Sequence, residues 1–194
     1  MRAGAIILAA GGSRRLGQPK QLLAHGEASL LRHTARSAIE SRCRPIMVVL
    51  GANDDQCARE LADLPVRTSV NASWKLGLGS SIRVGLDAIS ASPLDVVVLL
   101  VCDQPFLSGQ VIDELVNALT DEKSIAACAY AGTLGTPAAF GRFYFDDLTG
   151  LPDDTGAKVL LMKYRDAVVS VPFPAELVDA DTAIDYTQWQ DGRE

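Results

Sequence analysis

Short apolar runs alternate with amphipathic segments along most of this 194-residue chain. Continuous apolar runs of this length are typical of strands that are buried on both faces of a parallel sheet. Val96–Val101 is the most apolar of these runs. The pattern predicts strands at 5–8, 46–50, 66–70, 96–101 and 125–130.

Between these runs, apolar residues recur with the spacing of one helix face. Helices are predicted from Ser29, over 54–64, from about Ser80 to Ile89, and from Ser108 to Leu119. Serine is a favoured N-cap because its side chain can accept a hydrogen bond from a free backbone N–H. We therefore expect Ser29 and Ser108 to cap their helices, and Ser80 or Ser81 to cap the third.

Strands separated by helices predict right-handed crossovers and an α/β fold with a mostly parallel sheet and helices on both faces. After residue 130 the alternation is less regular, and an antiparallel or peripheral strand is expected there. The length predicts a single domain over 1–194. Ligands of such sheets bind beyond the carboxyl ends of the strands, so residues 9–20, 51–53, 71–81 and 103–105 should meet at one edge.

Composition narrows the classes of function. A net charge of −6 argues against non-specific nucleic-acid binding. No apolar run reaches transmembrane length, and Gly11 and Gly12 interrupt the first one, so we expect a cytoplasmic protein without a membrane partner. The cysteines are widely spaced without a Cys-x-x-Cys pair, which predicts reduced thiols with no metal-binding or catalytic role.

The segment Leu8–Lys20 combines small residues with cations. Ala9 to Gly12 leave the backbone N–H groups open to a ligand, and Arg14, Arg15 and Lys20 add positive charge, which together indicate an anion site. The spacing fits neither a P-loop nor a dinucleotide-binding fingerprint. A glycine-rich turn with solvated basic residues is the alternative.

Two further segments follow predicted strands. Asp103, in Cys102-Asp103-Gln104-Pro105, is placed to bind a hard divalent cation, although an aspartate before proline is also a common turn former. The segment 71–81 carries Gly77 and Gly79, and its backbone amides could contact a nucleotide base. A glycine loop with a helix cap and Trp74 as an apolar plug explains the same residues.

The order Leu-Ala-Ala-Gly-x-Ser-x-Arg-x-Gly-x-x-Lys in 8–20 resembles the nucleotide loop of the MobA-like nucleotidyltransferases, most closely the cytidylyltransferases that act on molybdopterin cofactor. The Asp-Gln-Pro at 103–105 and Asn-x-x-Trp-x-x-Gly-Leu-x-Ser-Ser at 71–81 resemble the same family. The resemblance implies a three-layer Rossmann-like sandwich of the nucleotide-diphospho-sugar transferase type. It also implies Mg²⁺ as the metal, and Ala10 favours CTP over GTP.

The resemblance assigns roles to individual positions. It implies catalytic roles for Arg15, Lys20 and Asp103, and metal binding by Asp103, Asp179 and Asp181, although Asp179 and Asp181 could instead face solvent or cap a helix. It implies acceptor binding by Gly135 and Pro137, in a turn at 135–140, and by Asp154 and Lys158. The implied nucleotide-binding residues are Leu8, Ala9, Ala10, Gly11, Gly12, Ser13, Arg14, Gly77, Leu78, Gly79, Ser80 and Ser81.

The chain departs from the family pattern at three positions. Cys102 stands where the family usually has glycine, Asp153 also replaces a glycine, and Lys158 replaces an arginine. Lysine keeps the charge but loses the two-pronged geometry with which arginine binds phosphate. The acceptor side is therefore the part of the resemblance that matches least well.

The function that follows is transfer of CMP from CTP to the phosphate of molybdopterin, with release of pyrophosphate. Two alternatives stay open. One is the same transfer to a sugar phosphate or another phosphorylated acceptor, and the other is a non-catalytic cofactor carrier for a molybdenum hydroxylase.

Overall fold

The predicted strands are present in the computed structural model of the protein, which describes residues 1–13, 18–130 and 133–173. Most of the apolar runs become strands because their side chains are covered on both faces of one sheet, whereas the run at 66–70 lies at the sheet edge and is largely exposed. The strands are β1 (Ala3–Ala9), β2 (Ala24–His25), β3 (Ala28–Ser29), β4 (Ile46–Leu50), β5 (Arg67–Val70), β6 (Val96–Val101), β7 (Ile125–Tyr130), β8 (Thr133–Gly141) and β9 (Val168–Pro172).

The main sheet has seven strands in the order β5-β4-β1-β6-β8-β7-β9, and β2 pairs with β3 in a separate short hairpin. β5, β4, β1 and β6 run parallel, whereas β8 is antiparallel to both of its neighbours, β6 and β7. β9 completes the sheet parallel to β7. The antiparallel strand expected after residue 130 is therefore confirmed, and it lies inside the sheet.

Helices cover both faces of the sheet, which confirms the α/β three-layer architecture. The helices are α1 (Leu30–Glu40), α2 (Asp54–Leu61), α3 (Leu78–Ile89), α4 (Gly109–Asn117), α5 (Phe145–Thr149) and α6 (Lys158–Lys163). One core packs α1, α2 and α4 against the sheet, and the other packs α3, α5 and α6 against the opposite face. Within the described ranges, every helix is too short or too polar to cross a lipid bilayer.

Three helix boundaries differ from the prediction, one of them the end of α4 at Asn117 rather than Leu119. α2 ends at Leu61, because Leu64 precedes Pro65 and a residue before proline disfavours helical geometry. α3 begins at Leu78 with Gly77 as its N-cap, so the prediction that Ser80 or Ser81 caps it is wrong. Ser29 and Ser108 do cap α1 and α4, since their side chains accept hydrogen bonds from the N–H groups of Arg32 and Val111.

The turn expected at 135–140 is instead part of strand β8. Gly135 pairs with Cys128 and Ala138 pairs with Ala127, so Thr136 and Pro137 form a bulge that the strand accommodates without breaking. A bulge is a position where a sheet tolerates proline, because one residue there is left out of the hydrogen-bond ladder.

All four cysteines are free and buried. Loss of hydration on burial raises the pKa of the Cys43 and Cys57 thiols to about 11 and that of Cys128 to about 12. The same cause, followed by the nearby Asp103 charge, raises the pKa of Cys102. The thiols therefore stay protonated at neutral pH and pack as small apolar groups.

Unfolding should expose these thiols to reagent and to ionisation. We expect an aromatic disulfide reagent at about pH 8 to modify the folded protein slowly and the denatured protein quickly at all four cysteines. Unfolded thiols ionise near pH 9, whereas the folded ones hold their protons to about pH 11, so the free energy of unfolding should fall as pH rises above about 9. Rapid modification of the folded protein would contradict the burial.

Candidate functional site

A cleft with a volume of about 440 Å³ opens at the carboxyl ends of β1 and β6. It is formed where the segments that follow these strands meet the loop before α3. Its lining residues are Leu8, Ala10, Gly11, Gly12, Lys20, Gln21, Trp74, Lys75, Gly77, Leu78, Ser81, Val101, Cys102 and Asp103. Three of the four segments expected at this edge contribute to the lining, and the fourth packs behind it, since a Cβ atom at Gly51 would lie 2.8 Å from the Cβ of Ala10.

Lys20 and Asp103, which both line the cleft, form an ion pair. The Lys20 ammonium donates a hydrogen bond to Asp103 Oδ2. Asp103 is 8 % exposed, and its other oxygen, Oδ1, is buried without a hydrogen-bond partner in the described part of the chain. A buried carboxylate oxygen without a donor is costly, and a bound cation would satisfy it.

The metal-binding potential of the described residues centres on Asp103. Nowhere in 1–13, 18–130 and 133–173 do three or more His, Cys, Asp or Glu side chains come close enough to hold an ion together. One carboxylate fits Mg²⁺, which keeps several waters and takes its other oxygen ligands from substrate phosphates. Asp179 and Asp181 lie outside the described residues.

Gln21 holds the glycine loop that follows β1. Its side chain is buried, and its Nε2 donates hydrogen bonds to the carbonyl oxygens of Ala9, at 3.0 Å, and of Gly11. Ser13 Oγ donates to Gln21 Oε1 at 3.4 Å and accepts from the Lys20 N–H at 2.9 Å. These contacts join both ends of the 9–20 segment to one amide side chain.

Gln21 also fixes the direction of the loop peptides. In a trans peptide the carbonyl and the next N–H point in opposite directions, so the N–H groups of Ala10 and Gly12 point away from Gln21. In the part of the chain that the structure covers, the N–H groups of Gly11 and Gly12 donate no hydrogen bond. The loop is therefore shaped in advance, with backbone donors left for a ligand.

Asn71 organises the loop that forms the opposite wall. Its Oδ1 accepts from the Ser73 N–H, and its Nδ2 donates to the hydroxyl oxygens of Ser80, at 2.9 Å, and Ser81, at 3.0 Å. The Ser80 hydroxyl in turn donates a hydrogen bond to the Gly77 carbonyl oxygen at 2.7 Å. The Ser81 hydroxyl proton meets no acceptor in the described residues, so Ser81, which lines the cleft, can donate to a ligand.

Trp74 closes the cleft between the two loops. A Cβ atom at Gly12 would lie 2.9 Å from the Trp74 ring, so glycine is needed for the ring to pack on the loop. Lys75, beside it in the sequence, places its ammonium 5.7 Å from the centre of the same ring. The apolar-plug interpretation of Trp74 is therefore compatible with a ligand site, because the plug forms one wall of the cleft.

The predicted nucleotide residues fall into three groups. Those that line the cleft are Leu8, Ala10, Gly11, Gly12, Gly77, Leu78 and Ser81. Ala9, Ser13, Gly79 and Ser80 lie behind the lining and support its backbone. Arg14 and Arg15 fall outside the described residues.

The predicted acceptor residues are not among those that line this cleft, although the backbone of Asp154 packs against Gly77, which does line it. Gly135 and Pro137 are buried in β8, where the Thr136 carbonyl oxygen accepts a hydrogen bond of 2.7 Å from Gln104 Nε2. Asp154 is exposed in the loop before α6, and Lys158 is exposed at the first position of α6. The Gln104 contact connects β8 to the residue that follows Asp103.

Sequence reasoning assigned no role to Gln21 or Asn71. Each acts through hydrogen bonds to groups that come close only in the folded chain, and a polar residue in a loop gives no periodic signal for such contacts. The one available signal was position, since Gln21 follows Lys20 directly and Asn71 begins the segment 71–81.

Replacing Gln21 with methionine should weaken anion binding, because the near-isosteric side chain cannot hold the Ala9 and Gly11 carbonyls. We expect pyrophosphate affinity to fall about tenfold, the effect of losing roughly 1–2 kcal/mol of hydrogen bonding, as measured by titration calorimetry. The control is Gln110→Met, because Gln110 donates a similar bond to Glu114 on exposed helix α4. Equal affinities for the two variants would show that Gln21 does not shape the loop.

The chain is similar in sequence and in fold to several known proteins. The chain is 35 % identical over 139 residues to nicotine blue oxidoreductase of Paenarthrobacter nicotinovorans, covering 71 % of the chain and 66 % of that protein, just under two thirds of its length. It is 30 % identical over 193 residues to purine catabolism protein PucB of Bacillus subtilis (strain 168), covering 93 % and 92 %. A structure of Rv0371c from Mycobacterium tuberculosis in complex with manganese superposes with a TM-score of 0.82 at 25 % identity, covering 98 % and 99 %.

The fold is that of the nucleotide-diphospho-sugar transferases. Residues 5–168, which include both loops of the cleft and Asp103, match the MobA-like NTP transferase domain. Because that match covers most of the chain and PucB aligns along nearly all of it, the protein belongs to the family of MobA-like NTP transferase domains.

Proposed function

We propose that the protein transfers CMP from CTP to the phosphate of molybdopterin cofactor and releases pyrophosphate. The observation that carries the proposal is the Lys20–Asp103 ion pair beside a glycine loop with free backbone donors. A cation, a carboxylate and open N–H groups at one strand edge are what a metal-bound triphosphate requires.

Asp103 is the residue that would hold Mg²⁺, because Oδ1 is buried and has no donor in the described chain. When bound there, the ion supplies positive charge that polarises phosphate oxygens. Manganese in the Rv0371c structure supports a divalent ion in this fold. Asp179 and Asp181 are proposed as further ligands on the resemblance alone.

Lys20 has a role that depends on the presence of substrate. In the ligand-free chain its ammonium is neutralised by Asp103. A triphosphate offers Lys20 a more highly charged partner, and its arrival would release Asp103 to bind the metal. The ion pair therefore holds both side chains in place before substrate binds.

The transfer itself requires positioning more than acid–base chemistry. An oxygen of the acceptor phosphate attacks the α-phosphorus of CTP, the bond to the bridging oxygen breaks, and pyrophosphate leaves with that electron pair. Lys20, and Arg15 by resemblance, stabilise the negative charge on the phosphates, and the N–H groups of Gly11 and Gly12 bind the triphosphate. A phosphate nucleophile is already anionic near neutral pH, so no general base is needed.

The loop that Asn71 organises supports recognition of a cytosine base. The Ser81 hydroxyl faces the cleft as a donor because its oxygen already accepts from Asn71. Cytosine presents acceptors on its ring nitrogen and carbonyl, and the neighbouring backbone can complete the contact. Together with Ala10, this favours CTP as the nucleotide.

Nucleotidyl transfer to a sugar phosphate is the second candidate. It is favoured by the exposed Lys158, where the resemblance implies arginine, and by the burial of Gly135 and Pro137 in β8, where they do not line the cleft. A carrier that passes cofactor to a molybdenum hydroxylase without transfer is a third. One relative is named an oxidoreductase, but the loop after β1 in this chain lacks a dinucleotide-binding fingerprint.

A pyrophosphate-release assay separates these candidates. Purified protein with Mg²⁺ is mixed with each nucleoside triphosphate and with either molybdopterin cofactor or a sugar phosphate. Release that requires both CTP and the cofactor supports the proposal, and release with a sugar phosphate supports the second candidate. Tight binding of cofactor without release supports the carrier.

Asp103→Asn should reduce transfer about 100-fold or more, because the amide keeps the size of the carboxylate but cannot supply its charge to a metal. The measurement is pyrophosphate release as a function of Mg²⁺ concentration. Asp113→Asn, which removes a carboxylate paired with Arg42 on the surface, is the control and should retain activity. Wild-type turnover by Asp103→Asn would remove Asp103 from the proposed metal site.

Lys20→Ala should lower kcat about 100-fold and weaken CTP binding less, because the ammonium stabilises charge that develops during transfer. Single-turnover rates and a separate CTP titration measure the two effects. Lys123→Ala, at an exposed lysine, is the control. A large loss of affinity with an unchanged kcat would make Lys20 a binding residue.

A further inference from the structure

Arg83, in helix α3, binds the loop 149–158, which runs from the last residue of α5 to the first residue of α6. Its Nε donates to the Thr149 carbonyl oxygen at 3.1 Å, and Nη2 donates to the Leu151 carbonyl oxygen at 2.8 Å. Its Nη1 donates to Asp153 Oδ1, also at 2.8 Å, in an ion pair. One planar guanidinium thus binds three points of the same loop, which a flexible single-point cation could not do.

The backbone of this loop also lies directly against the start of α3. The Ser80 N–H donates to the Asp153 carbonyl oxygen at 3.2 Å. A Cβ atom at Gly77 would lie 2.6 Å from that same oxygen, and one at Gly79 would lie 2.1 Å from the Pro152 carbonyl oxygen. Because no side chain separates the two backbones, a shift of one segment must move the other.

The two segments face different substrates if the proposed function is correct. Gly77, Leu78 and Ser81 line the cleft proposed for the nucleotide. Asp154 and Lys158, which are proposed to bind the acceptor, lie in the loop bound by Arg83 and are exposed to solvent. On this basis we infer that Arg83 and Asp153 are a positioning pair through which nucleotide binding orders the acceptor loop 149–158. The inference rests on the proposed function and adds a coupling between its two substrate sites.

The ion pair is better suited to positioning than to stabilising the fold. The Arg83 and Asp153 side chains are 37 % and 42 % exposed, and half-exposed ion pairs add little net stability. Asp153 is also a position where the chain departs from the glycine of the family, and glycine has no side chain to pair with Arg83. The departure therefore gives this chain a contact that the family pattern does not supply.

Hydrogen exchange with and without Mg²⁺ and CTP tests the inference. In the wild type we expect nucleotide to slow exchange about fivefold or more in peptides covering both 71–81 and 149–158. In Arg83→Gln, nucleotide should still slow exchange at 71–81, but most of the change at 149–158 should be lost. Each variant is compared with itself without nucleotide, because a merely structural role would raise exchange equally in both conditions.

Arg32→Gln is the matched control, since Arg32 also binds one carboxylate, that of Asp63, and one carbonyl oxygen, that of Glu60, but between α1 and α2. It should respond to nucleotide as the wild type does. Asp153→Asn gives a second variant that keeps the carbonyl contacts of Arg83, and it should lose part of the response. It serves as the test if Arg83→Gln does not fold.

The outcomes separate the inference from the proposed function. Protection at 71–81 without any change at 149–158 in the wild type, or an unchanged response in Arg83→Gln, would overturn the coupling alone. Absence of protection at 8–13 and 71–81 by every nucleoside triphosphate would overturn the proposed function, and the coupling with it.

Discussion

The pairing of β1 with β6 is the constraint on which the site depends. Leu8 lies beside Val101 in this parallel pair, so the chain leaves both strands at the same level of the sheet. The segment after β1 contains the glycine loop and Lys20, and the turn after β6 contains Asp103. A largely buried ion pair tolerates little displacement, because its charges have lost water and must stay in contact. The neighbouring strands provide that rigidity.

The positions of the main strands and their parallel direction could be predicted from the sequence, because apolar runs alternate with amphipathic segments along the chain. Continuous apolar runs predict β1, β4, β6 and β7. Parallel sheets bind ligands at the carboxyl ends of their strands, which predicts that Lys20 and Asp103 lie close together, as they do. The structure agrees with the sequence in this respect because buried strands leave a strong local signal, and their direction follows from the helices that connect them.

The remainder depends on contacts that have no local signal. Gln21 and Arg83 act by donating to backbone carbonyls, and nothing in their neighbouring residues indicates which carbonyls the fold will bring near. The start of α3 was misplaced for a related reason. Serine is a good cap in general, but here Asn71 engages Ser80 and Ser81 inside the helix, and Gly77, with φ of 130°, makes the turn into it. Tertiary contacts thus override the local preference.

The reversed direction of β8 has a consequence for how such a domain can diversify. Because Ala138 pairs with Leu99, the residues before it reach the edge where the parallel strands end, and Gln104 contacts Thr136 there. The first residues of β8 therefore lie at the same edge of the sheet as the carboxyl ends of the parallel strands. Changes near the beginning of β8 can alter what is presented at that edge while the glycine loop after β1 keeps its sequence. Under the proposed function, a different acceptor could be accommodated in this way without rebuilding the cleft between β1 and β6.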